Sequence, residues 1–353
     1  MRWTDGLRLL PAAALARASA AQPYKVLLSL TDRCTHRCRH CAAWRRRPGD
    51  ELSPDRIHAL LAGLPSLRWL DLTGGEPTGR PDADAVADAV RDAAGARLAF
   101  LHFATNGHDP GAAARFADRL RGPCPLVVTV RLDGDEATHD RVRGRRGAFQ
   151  AAVETARALS SMPGVQVYAG TTLCPDNVDR MDRTHDALAR ALPDLVPARW
   201  HVNPMTRSPH FFGNLDAVTP ATPDVLAALD RVERLRGTRV DPFALAERVF
   251  LRGLRSYLLS GRPPVPCQAA RASVFVGPRG DVYPCHVLDT PLGNVGATPR
   301  PDLRAVLRSP AARAARAGIA AGCSACWTPC EAYHAILGSP VRAVLAALVG
   351  RGL

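Results

Sequence analysis

Residues 24–44 read YKVLLSLTDRCTHRCRHCAAW, and this stretch decides the fold. Its first seven residues form a short, mostly apolar run that is typical of a buried strand. Three cysteines follow on the next loop as CxxxCxxC, at Cys34, Cys38 and Cys41. A closed structural metal site takes four protein ligands, so three thiolates leave one metal position open for another molecule. The alternative is a zinc knuckle or a set of unconnected thiols.

Strand patterns alternate with helix patterns along the chain on both sides of this loop. The predicted strands cover residues 24–30, 68–73, 97–104, 126–132, 165–173 and 198–203, and the predicted helices cover residues 54–64, 82–94, 115–121, 147–162 and 178–192. This alternation predicts a parallel sheet with right-handed crossovers. Six units predict an α/β fold with a partial (β/α)6 TIM-like barrel, whose site lies at the carboxyl ends of the strands.

A second group of cysteines follows the barrel. Two predicted helices, 223–236 and 243–259, lead through the proline-rich stretch 261–266 to a β-hairpin within 274–283. The sequence therefore predicts an N-terminal extension at 1–23, a barrel at 24–221, a helical linker at 222–266 and a cysteine-bearing module at 267–353. The predicted tail helix 341–353 is short and apolar.

Two further motifs accompany the triplet. GGEP occupies residues 74–77 directly after the second strand, and LDGDEATHDRVRGRRGAF occupies residues 132–149 after the fourth. With CxxxCxxC, these ordered motifs resemble those of the radical S-adenosylmethionine (SAM) enzymes. The resemblance implies that Cys34, Cys38 and Cys41 hold a [4Fe–4S] cluster whose fourth iron chelates the amino and carboxylate groups of SAM.

The resemblance also implies that Gly74, Gly75 and Glu76 contact SAM, in a motif that holds its methionine ammonium. Glycines allow the sharp turn and close approach that such a contact needs. Read alone, GGEP is an ordinary turn.

In the third motif the resemblance implies that Arg143 pairs with the SAM carboxylate, a task that suits a guanidinium fork. Asp133 and His139 are expected to hold the loop through backbone hydrogen bonds, or else to be ordinary turn residues. One position departs from the family pattern, because Arg131 replaces the usual serine. We expect Arg131 to contact the carboxylate or ribose of SAM, or an anionic substrate.

The C-terminal cysteines resemble the twitch/SPASM module of the same superfamily, including the LGN segment at 292–294. The resemblance implies one auxiliary [4Fe–4S] cluster on Cys267, Cys285, Cys323 and Cys326. Zinc on the same ligands is the alternative. Cys330 remains a spare thiol, an alternative ligand or a catalytic group.

Two cysteines lie outside both groups. Cys174 follows the fifth strand and is either a hydrogen-atom donor to a substrate radical or a buried structural residue. Cys124 is expected to be structural. The loop 203–214 is a candidate substrate wall through Arg207, His210, Phe211 and Asn214, although a packed surface loop fits the same composition.

The charge balance carries little information about partners. The 46 basic and 33 acidic residues give a net charge of +13, but 45 of the basic residues are arginine and one is lysine. This bias, with abundant alanine, indicates a GC-rich genome. No apolar run is long enough to span a membrane, and Pro11 and Arg17 interrupt the apolar stretch of a signal-like N-terminus. We expect a cytoplasmic protein, a compartment that also suits an oxygen-sensitive cluster.

The resemblance implies reductive cleavage of SAM, with electrons from a donor such as flavodoxin or ferredoxin, and hydrogen abstraction from a C–H bond. The first hypothesis is a radical SAM oxidoreductase or epimerase that acts on a sugar, an aminocyclitol or a similar polar metabolite of specialised metabolism. The second is a maturase that modifies a ribosomally made peptide. The third is a non-enzymatic nucleic-acid-binding metalloprotein, suggested by the net charge.

Overall fold

Nine strands and eleven helices make up the regular structure in the computed structural model, which describes residues 9, 11–13, 22–237, 242–297 and 301–343. Strands β1 to β9 span Lys25–Ser29, Trp69–Thr73, Phe100–Thr105, Leu126–Arg131, Val165–Leu173, Trp200–Pro204, Ser273–Val276, Asp281–Tyr283 and Gly293–Asn294. Helices α1 to α11 span Pro54–Ala62, Ala83–Ala94, Pro110–Leu120, Glu136–Arg143, Ala148–Ser160, Met181–Ala191, Thr222–Arg236, Pro242–Ser260, Leu303–Arg308, Pro310–Ala320 and Pro329–Gly338. Two 3₁₀ turns lie at Ala43–Arg45 and Pro77–Gly79.

The predicted partial barrel is confirmed. Strands β1 to β6 are parallel and pair in chain order, and at least one helix crosses over between each strand and the next. Helix α1 begins as its sequence predicts, since Ser53 Oγ accepts a hydrogen bond from the backbone N–H of Arg56 and Pro54 is the first helical residue. The remaining boundaries of the predicted barrel strands and helices shift by a few residues.

The C-terminal module continues the barrel sheet. Strand β7 pairs in parallel with the free edge of β1, with Lys25 opposite Ser273 and Leu28 opposite Val276, and the strands β8 and β9 extend the sheet in antiparallel fashion. Helices α7 and α8 add Val225 and Phe250 to the same apolar core. One sheet and one core therefore run across the boundary at 267, and the division into domains remains a prediction.

Alternating residues of the strands point to opposite sides of the sheet, as the pleat requires. The outward set is apolar and packs beneath the helices, for example Val26, Leu70 and Phe103. The inward set carries polar side chains at Lys25 and Asp71 even though both are almost fully buried. The strand pattern therefore places charged groups in the interior of the barrel, next to the expected site.

Little of the N-terminal extension and of the tail falls within the described residues. Leu9 and Ala13 pack against Tyr24 and Trp69 at the start of the barrel strands. The rest of the extension before residue 22, and the predicted tail helix beyond residue 343, lie outside the described part of the chain. Among the helices described, none has the length and apolar character needed to cross a bilayer.

Candidate active site

A cavity of about 380 Å³ occupies the interior of the barrel. One end is formed by the CxxxCxxC loop and the turn after β2. The middle is formed by the inward residues of the strands, and the C-terminal module closes the cavity with His286, Thr328, Cys330 and Tyr333. The cavity lies where three separated parts of the sequence meet.

The three cysteines of the loop share this cavity as free thiols. Asn106 Nδ2 lies 3.9 Å from Cys34 Sγ, and Arg143 Nη1 lies 3.7 Å from Cys38 Sγ, so both donate to sulfur. Burial raises the pKa of Cys34 to about 11 and that of Cys41 to about 12. A bound metal would reverse this effect, because coordination deprotonates a thiol.

The glycine pair brings the end of β2 against the same loop. Gly74 has a φ of +145°, and a Cβ there would lie 2.6 Å from the carbonyl oxygen of Thr31. A Cβ at Gly75 would lie 2.2 Å from the carbonyl oxygen of Arg33. The backbone N–H of Gly75 donates to the carbonyl of Thr31 at 2.8 Å. Only glycine permits this approach, so the motif is more than an ordinary turn.

Glu76 points away from the cavity. Its Oε1 accepts from the hydroxyls of Thr78 and Thr105, both at 2.8 Å, and its Oε2 accepts from the backbone N–H of Asn106 at 2.6 Å. The carboxylate is 2% exposed and is absent from the described residues that line the cavity. Its contact with SAM remains a prediction; in this structure it fixes the loop that carries the Asn106 donor to Cys34.

The loop after β4 is locked as the sequence predicts. His139 Nδ1 accepts from the backbone N–H of Asp133 at 2.9 Å, and Asp133 Oδ1 accepts from the backbone N–H of Thr172 at 2.8 Å. Arg143 Nη2 lies 2.8 Å from the other carboxylate oxygen of Asp133. Burial alone would raise the pKa of Asp133, but Arg143 and the neighbouring histidines bring it below its usual value. The carboxylate is therefore ionised, and part of the Arg143 guanidinium is already paired.

Arg131 is a cavity cation that interacts with Asp133 and Cys330 electrostatically without forming an ion pair with either. Its Nη1 is buried and has no hydrogen-bond partner, and no ion pair joins Arg131 to any residue in the described ranges. It lies opposite Gly170 on β5, where a Cβ would come within 3.3 Å of that nitrogen, so glycine leaves the space that the guanidinium fills. Burial lowers the pKa of Arg131, but a guanidinium stays charged in proteins.

Sequence reasoning missed a polar network deeper in the barrel. Lys25 Nζ lies 3.1 Å from Asp71 Oδ2, and His102 Nδ1 lies 3.2 Å from Asp71 Oδ1. His102 Nε2 is 2.9 Å from the hydroxyl of Thr129, and Lys25 also donates to the carbonyl of Cys330. The sequence feature that could have revealed this network is a polar residue within an otherwise apolar strand. Lys25, the chain's single lysine, is such a residue.

A second missed group surrounds Glu247 on α8. His201 Nδ1 lies 2.6 Å from its Oε1, Arg236 Nη1 lies 2.9 Å from its Oε2, and the hydroxyl of Tyr333 also contacts the carboxylate. Glu247 is fully buried. Because these residues are far apart in sequence, no local motif could have united them.

The loop 203–214 supplies several wall residues, namely Asn203, Met205, Thr206, Phe211 and Phe212, and several supports. Phe211 lines the cavity, and Asn214 Nδ2 donates to the carbonyl of His40 in the cysteine loop at 2.9 Å. His210 stacks on Tyr283 with ring centroids 3.9 Å apart. Arg207 Nη2 donates to the carbonyl of Ala217. Of the four candidates in this loop, only Phe211 lies in the described wall of the cavity.

Four of the C-terminal cysteines lie together, outside the described lining of the cavity. Cys267 and Cys323 share a hydrogen bond between their thiols. Cys285 Sγ accepts from the backbone N–H groups of Val287 and Leu288 at 3.4 and 3.3 Å. Cys326 is in electrostatic contact with Cys285 and Cys323. Four thiols with backbone N–H donors form a donor set that suits an iron–sulfur cluster.

Cys330 differs from those four because it lines the cavity. Burial raises the pKa of its thiol to about 11, against the opposing field of Lys25. The side chain packs near Leu27 and Phe275 on the inner face of the sheet. The structure thus separates Cys330 from the expected cluster ligands and places it beside the polar network.

Cys174 lies behind the wall rather than in it. It is 1% exposed and packs with Val142 and Met205. Its backbone N–H donates to Asn177 Oδ1 at 2.9 Å, and this turn carries the thiol away from the described lining. The buried structural interpretation therefore fits better than the hydrogen-donor hypothesis, and Cys124 is likewise buried in the core.

Two family models match this chain. The model of the radical SAM superfamily matches residues 28–188, and that of the SPASM iron–sulfur cluster-binding domain matches residues 267–330, so together they cover more than half of the sequence.

Several curated proteins are similar in sequence. PqqA peptide cyclase of Xanthomonas axonopodis pv. citri (strain 306) is 26% identical over 293 residues, 77% of this chain and 70% of that protein. Fe-coproporphyrin III synthase of Methanosarcina barkeri (strain Fusaro / DSM 804) is 30% identical over 194 residues, 53% and 46% of the two chains. Sporulation killing factor maturation protein SkfB of Bacillus subtilis (strain 168) is 25% identical over 195 residues, 54% and 45%.

Solved structures share the fold at low sequence identity. The structure of anSMEcpe with bound AdoMet and Kp18Cys peptide has a TM-score of 0.60 and 17% identity, covering 83% of this chain and 82% of that one. Streptococcus suis SuiB bound to the precursor peptide SuiA has a TM-score of 0.58 and 13% identity, covering 88% and 70%.

The cofactors of this chain are a SAM-binding iron–sulfur cluster, an auxiliary cluster and SAM. The residue types fit them, since three cavity thiols beside a glycine turn suit an open-sided cluster and four further thiols suit a closed one. No three Cys, His, Asp or Glu side chains of the described residues are gathered in metal-binding geometry. On these grounds the chain belongs to the radical SAM superfamily, in its SPASM branch, and is an enzyme.

Proposed function

We propose that this protein abstracts hydrogen from a C–H bond of a peptide that presents a carboxylate to Arg131. The observation that carries the proposal is the cavity itself, because it joins the expected SAM end, the unpaired Nη1 of Arg131 and the C-terminal module in one continuous space. When bound, the cluster and SAM supply reductive cleavage of SAM and the hydrogen-abstracting species, with electrons from a donor such as flavodoxin or ferredoxin.

In this proposal Cys34, Cys38 and Cys41 hold the SAM cluster, and Gly74 and Gly75 bring backbone groups to SAM. Cys267, Cys285, Cys323 and Cys326 hold the auxiliary cluster. When bound there, the auxiliary cluster would supply an electron acceptor for an oxidative outcome, and Cys330 is the thiol of the module that lines the cavity. The mostly apolar walls limit the water around the reacting bond.

The peptide substrate is favoured by the relatives. PqqA peptide cyclase is named for work on a peptide, SkfB is named as a maturation protein of the sporulation killing factor, and anSMEcpe and SuiB each have a structure with a peptide bound. This supports the second sequence hypothesis over the first. Membership in the superfamily also replaces the third hypothesis, a non-enzymatic nucleic-acid-binding protein.

The carboxylate requirement follows from the charges of the cavity. Lys25 pairs with Asp71 and Arg143 with Asp133, whereas Arg131 forms no ion pair among the described residues and interacts with Asp133 only at longer range. An uncompensated charge in a confined site is costly unless a ligand neutralises it. A carboxylate is the group that a guanidinium fork binds best in two-point fashion.

A small polar metabolite remains the second candidate because of the network around Asp71. Lys25, Asp71 and His102 give the deep end of the cavity several polar groups in a small space. A volume of about 380 Å³ lies within the range of roughly 300–1,000 Å³ for small-molecule sites. This candidate keeps the oxidoreductase or epimerase reaction of the first hypothesis.

The experiment is an anaerobic assay of the reconstituted, reduced protein with SAM. Peptides encoded beside the gene are compared with sugars and aminocyclitols, and 5′-deoxyadenosine and substrate mass are measured. We expect a peptide to stimulate 5′-deoxyadenosine formation and to change in mass. Stimulation by a sugar or aminocyclitol alone would replace the peptide with the second candidate, and a complete lack of 5′-deoxyadenosine would contradict both.

Arg131→Lys and Arg131→Gln test the carboxylate contact in the same assay. We expect Lys to retain part of the stimulation and Gln to lose it, while formation of 5′-deoxyadenosine without substrate persists. In the responsive peptide, each acidic side chain and the C-terminal carboxylate are converted to amides one at a time. One of these changes should abolish stimulation of the wild-type protein, as Arg131→Gln does. An unchanged response of the Gln variant would remove Arg131 from the substrate site.

A further inference from the structure

His36 is a buried polar side chain that no protein group satisfies. It lies between Cys34 and Cys38 and is fully buried. Neither ring nitrogen has a hydrogen-bond partner among the described residues. The ring borders the cavity at the end that the three cysteines form.

The backbone places this residue beside Cys34, and its ring also lies near Arg143, Arg145 and His139. The N–H of His36 is hydrogen-bonded to the Cys34 sulfur, which fixes the residue beside the expected cluster. The nearest ring is that of His108, with centroids 5.9 Å apart and planes tilted by 60°, so stacking does not occupy the imidazole. In either charge state an imidazole carries at least one N–H donor.

Two other polar side chains near the cysteines already donate to sulfur, whereas His40, between Cys38 and Cys41, has a buried Nδ1 without a hydrogen-bond partner. Asn106 Nδ2 lies 3.9 Å from Cys34, and Arg143 Nη1 lies 3.7 Å from Cys38. A bridging water would need two to four polar partners at the ring, and the ring has none. When the cluster is bound, its sulfur atoms would be hydrogen-bond acceptors at this end of the cavity.

We propose that the imidazole of His36 donates a hydrogen bond to a sulfur of the cluster held by Cys34, Cys38 and Cys41, and that this bond raises the reduction potential of the cluster. Reduction adds negative charge to the cluster, so a donor stabilises the reduced form more than the oxidised form. Hydrogen bonds to sulfur are among the factors that set such potentials. His36 is thereby a positioning residue that tunes the electron acceptor.

The test is a redox titration of the reconstituted full-length protein, followed by electron paramagnetic resonance. The SAM cluster is the signal that changes when SAM is added, and the auxiliary cluster is the internal control. In His36→Leu we expect the reduced-to-oxidised ratio of the SAM cluster to fall about tenfold at a fixed potential, which corresponds to about 59 mV for one electron. His36→Gln retains an N–H donor, and in this variant we expect the reduced-to-oxidised ratio to fall less than threefold.

Equal ratios in the Leu variant and the wild type, at unchanged iron content, would overturn the proposal, as would equal shifts in Leu and Gln. Loss of the SAM-dependent signal from the wild type would instead refute the ligand assignment, which is a separate failure. If the Leu variant does not assemble, the wild type decides with histidine that carries ¹⁵N in the imidazole ring alone, so that the backbone nitrogen of His36 gives no signal. We expect a nitrogen hyperfine coupling to the reduced SAM cluster that His36→Gln lacks, and its absence from the wild type would overturn the proposal.

Discussion

The two cysteine groups of this protein occupy different kinds of backbone. Cys34, Cys38 and Cys41 lie on one loop and face the cavity, and two of them accept side-chain hydrogen bonds, Cys34 from Asn106 after β3 and Cys38 from Arg143 at the end of α4. Cys267, Cys285, Cys323 and Cys326 are contributed by separated segments, and two of their sulfur atoms accept backbone N–H groups of their own segments. The loop thiols face the space that a substrate can enter, whereas the four thiols of the module lie outside its described lining.

The largest effect is expected from removing one cysteine of the CxxxCxxC loop. Cys38→Ala should abolish 5′-deoxyadenosine formation, because the cluster that binds SAM loses a ligand. Iron should fall from about eight to about four per chain, since each [4Fe–4S] cluster holds four. Chromatographic detection of 5′-deoxyadenosine and an iron assay check both results; persistence of 5′-deoxyadenosine would contradict the role of the loop.

The matched cysteine variant of the module should lose the same amount of iron but keep SAM cleavage. Cys285→Ala should also fall to about four iron atoms per chain, yet it should still cleave SAM because the loop is intact. Substrate turnover should be lost when the product is oxidised. A variant that keeps eight iron atoms, or a module that binds zinc, would contradict the auxiliary ligand set.

The buried pair beside the loop should affect stability more than iron content. Arg143→Gln leaves Asp133 charged and unpaired, and breaking such a pair costs about 3–5 kcal/mol. The double variant Arg143→Gln/Asp133→Asn should recover part of the free energy of unfolding. Denaturant unfolding of the cluster-free protein measures both, and equal losses in the single and double variants would show that the pair is not coupled.

The smallest expected effect concerns the fifth cysteine of the module. Cys330→Ala should leave about eight iron atoms per chain, because the thiol faces the cavity rather than the other four cysteines. Uncoupled 5′-deoxyadenosine formation should change little. Loss of the auxiliary cluster in this variant would make Cys330 a ligand and would remove the distinction between the two faces of the module.

The sequence predicts the parts of the site that are local in the chain. Short motifs sufficed for the cysteine loop, the glycine turn and the Asp133–His139 lock, because each is set by neighbouring residues. Glu76 was harder, since its carboxylate direction depends on Thr105 and Asn106 of the next strand. Cys174 followed a strand as expected, but the turn to Asn177 rotated its thiol into the core.

The Asp71 and Glu247 networks could not be derived from motifs. Their members come from different strands and helices, and only sheet register and helix packing bring them together. The isolated lysine in β1 was visible from composition, yet its partner depended on which strand became its neighbour.

The pairing of β1 with β7 has a consequence for biosynthesis. Strand β1 is made early, but one of its two hydrogen-bonding neighbours is synthesised about 250 residues later. Until then Lys25–Leu28 presents an open edge, which can pair with another chain. A ribosome-bound or truncated polypeptide that stops before residue 273 would therefore be prone to aggregation. Expression of the barrel alone should yield insoluble protein even though every residue of the cysteine triplet is present.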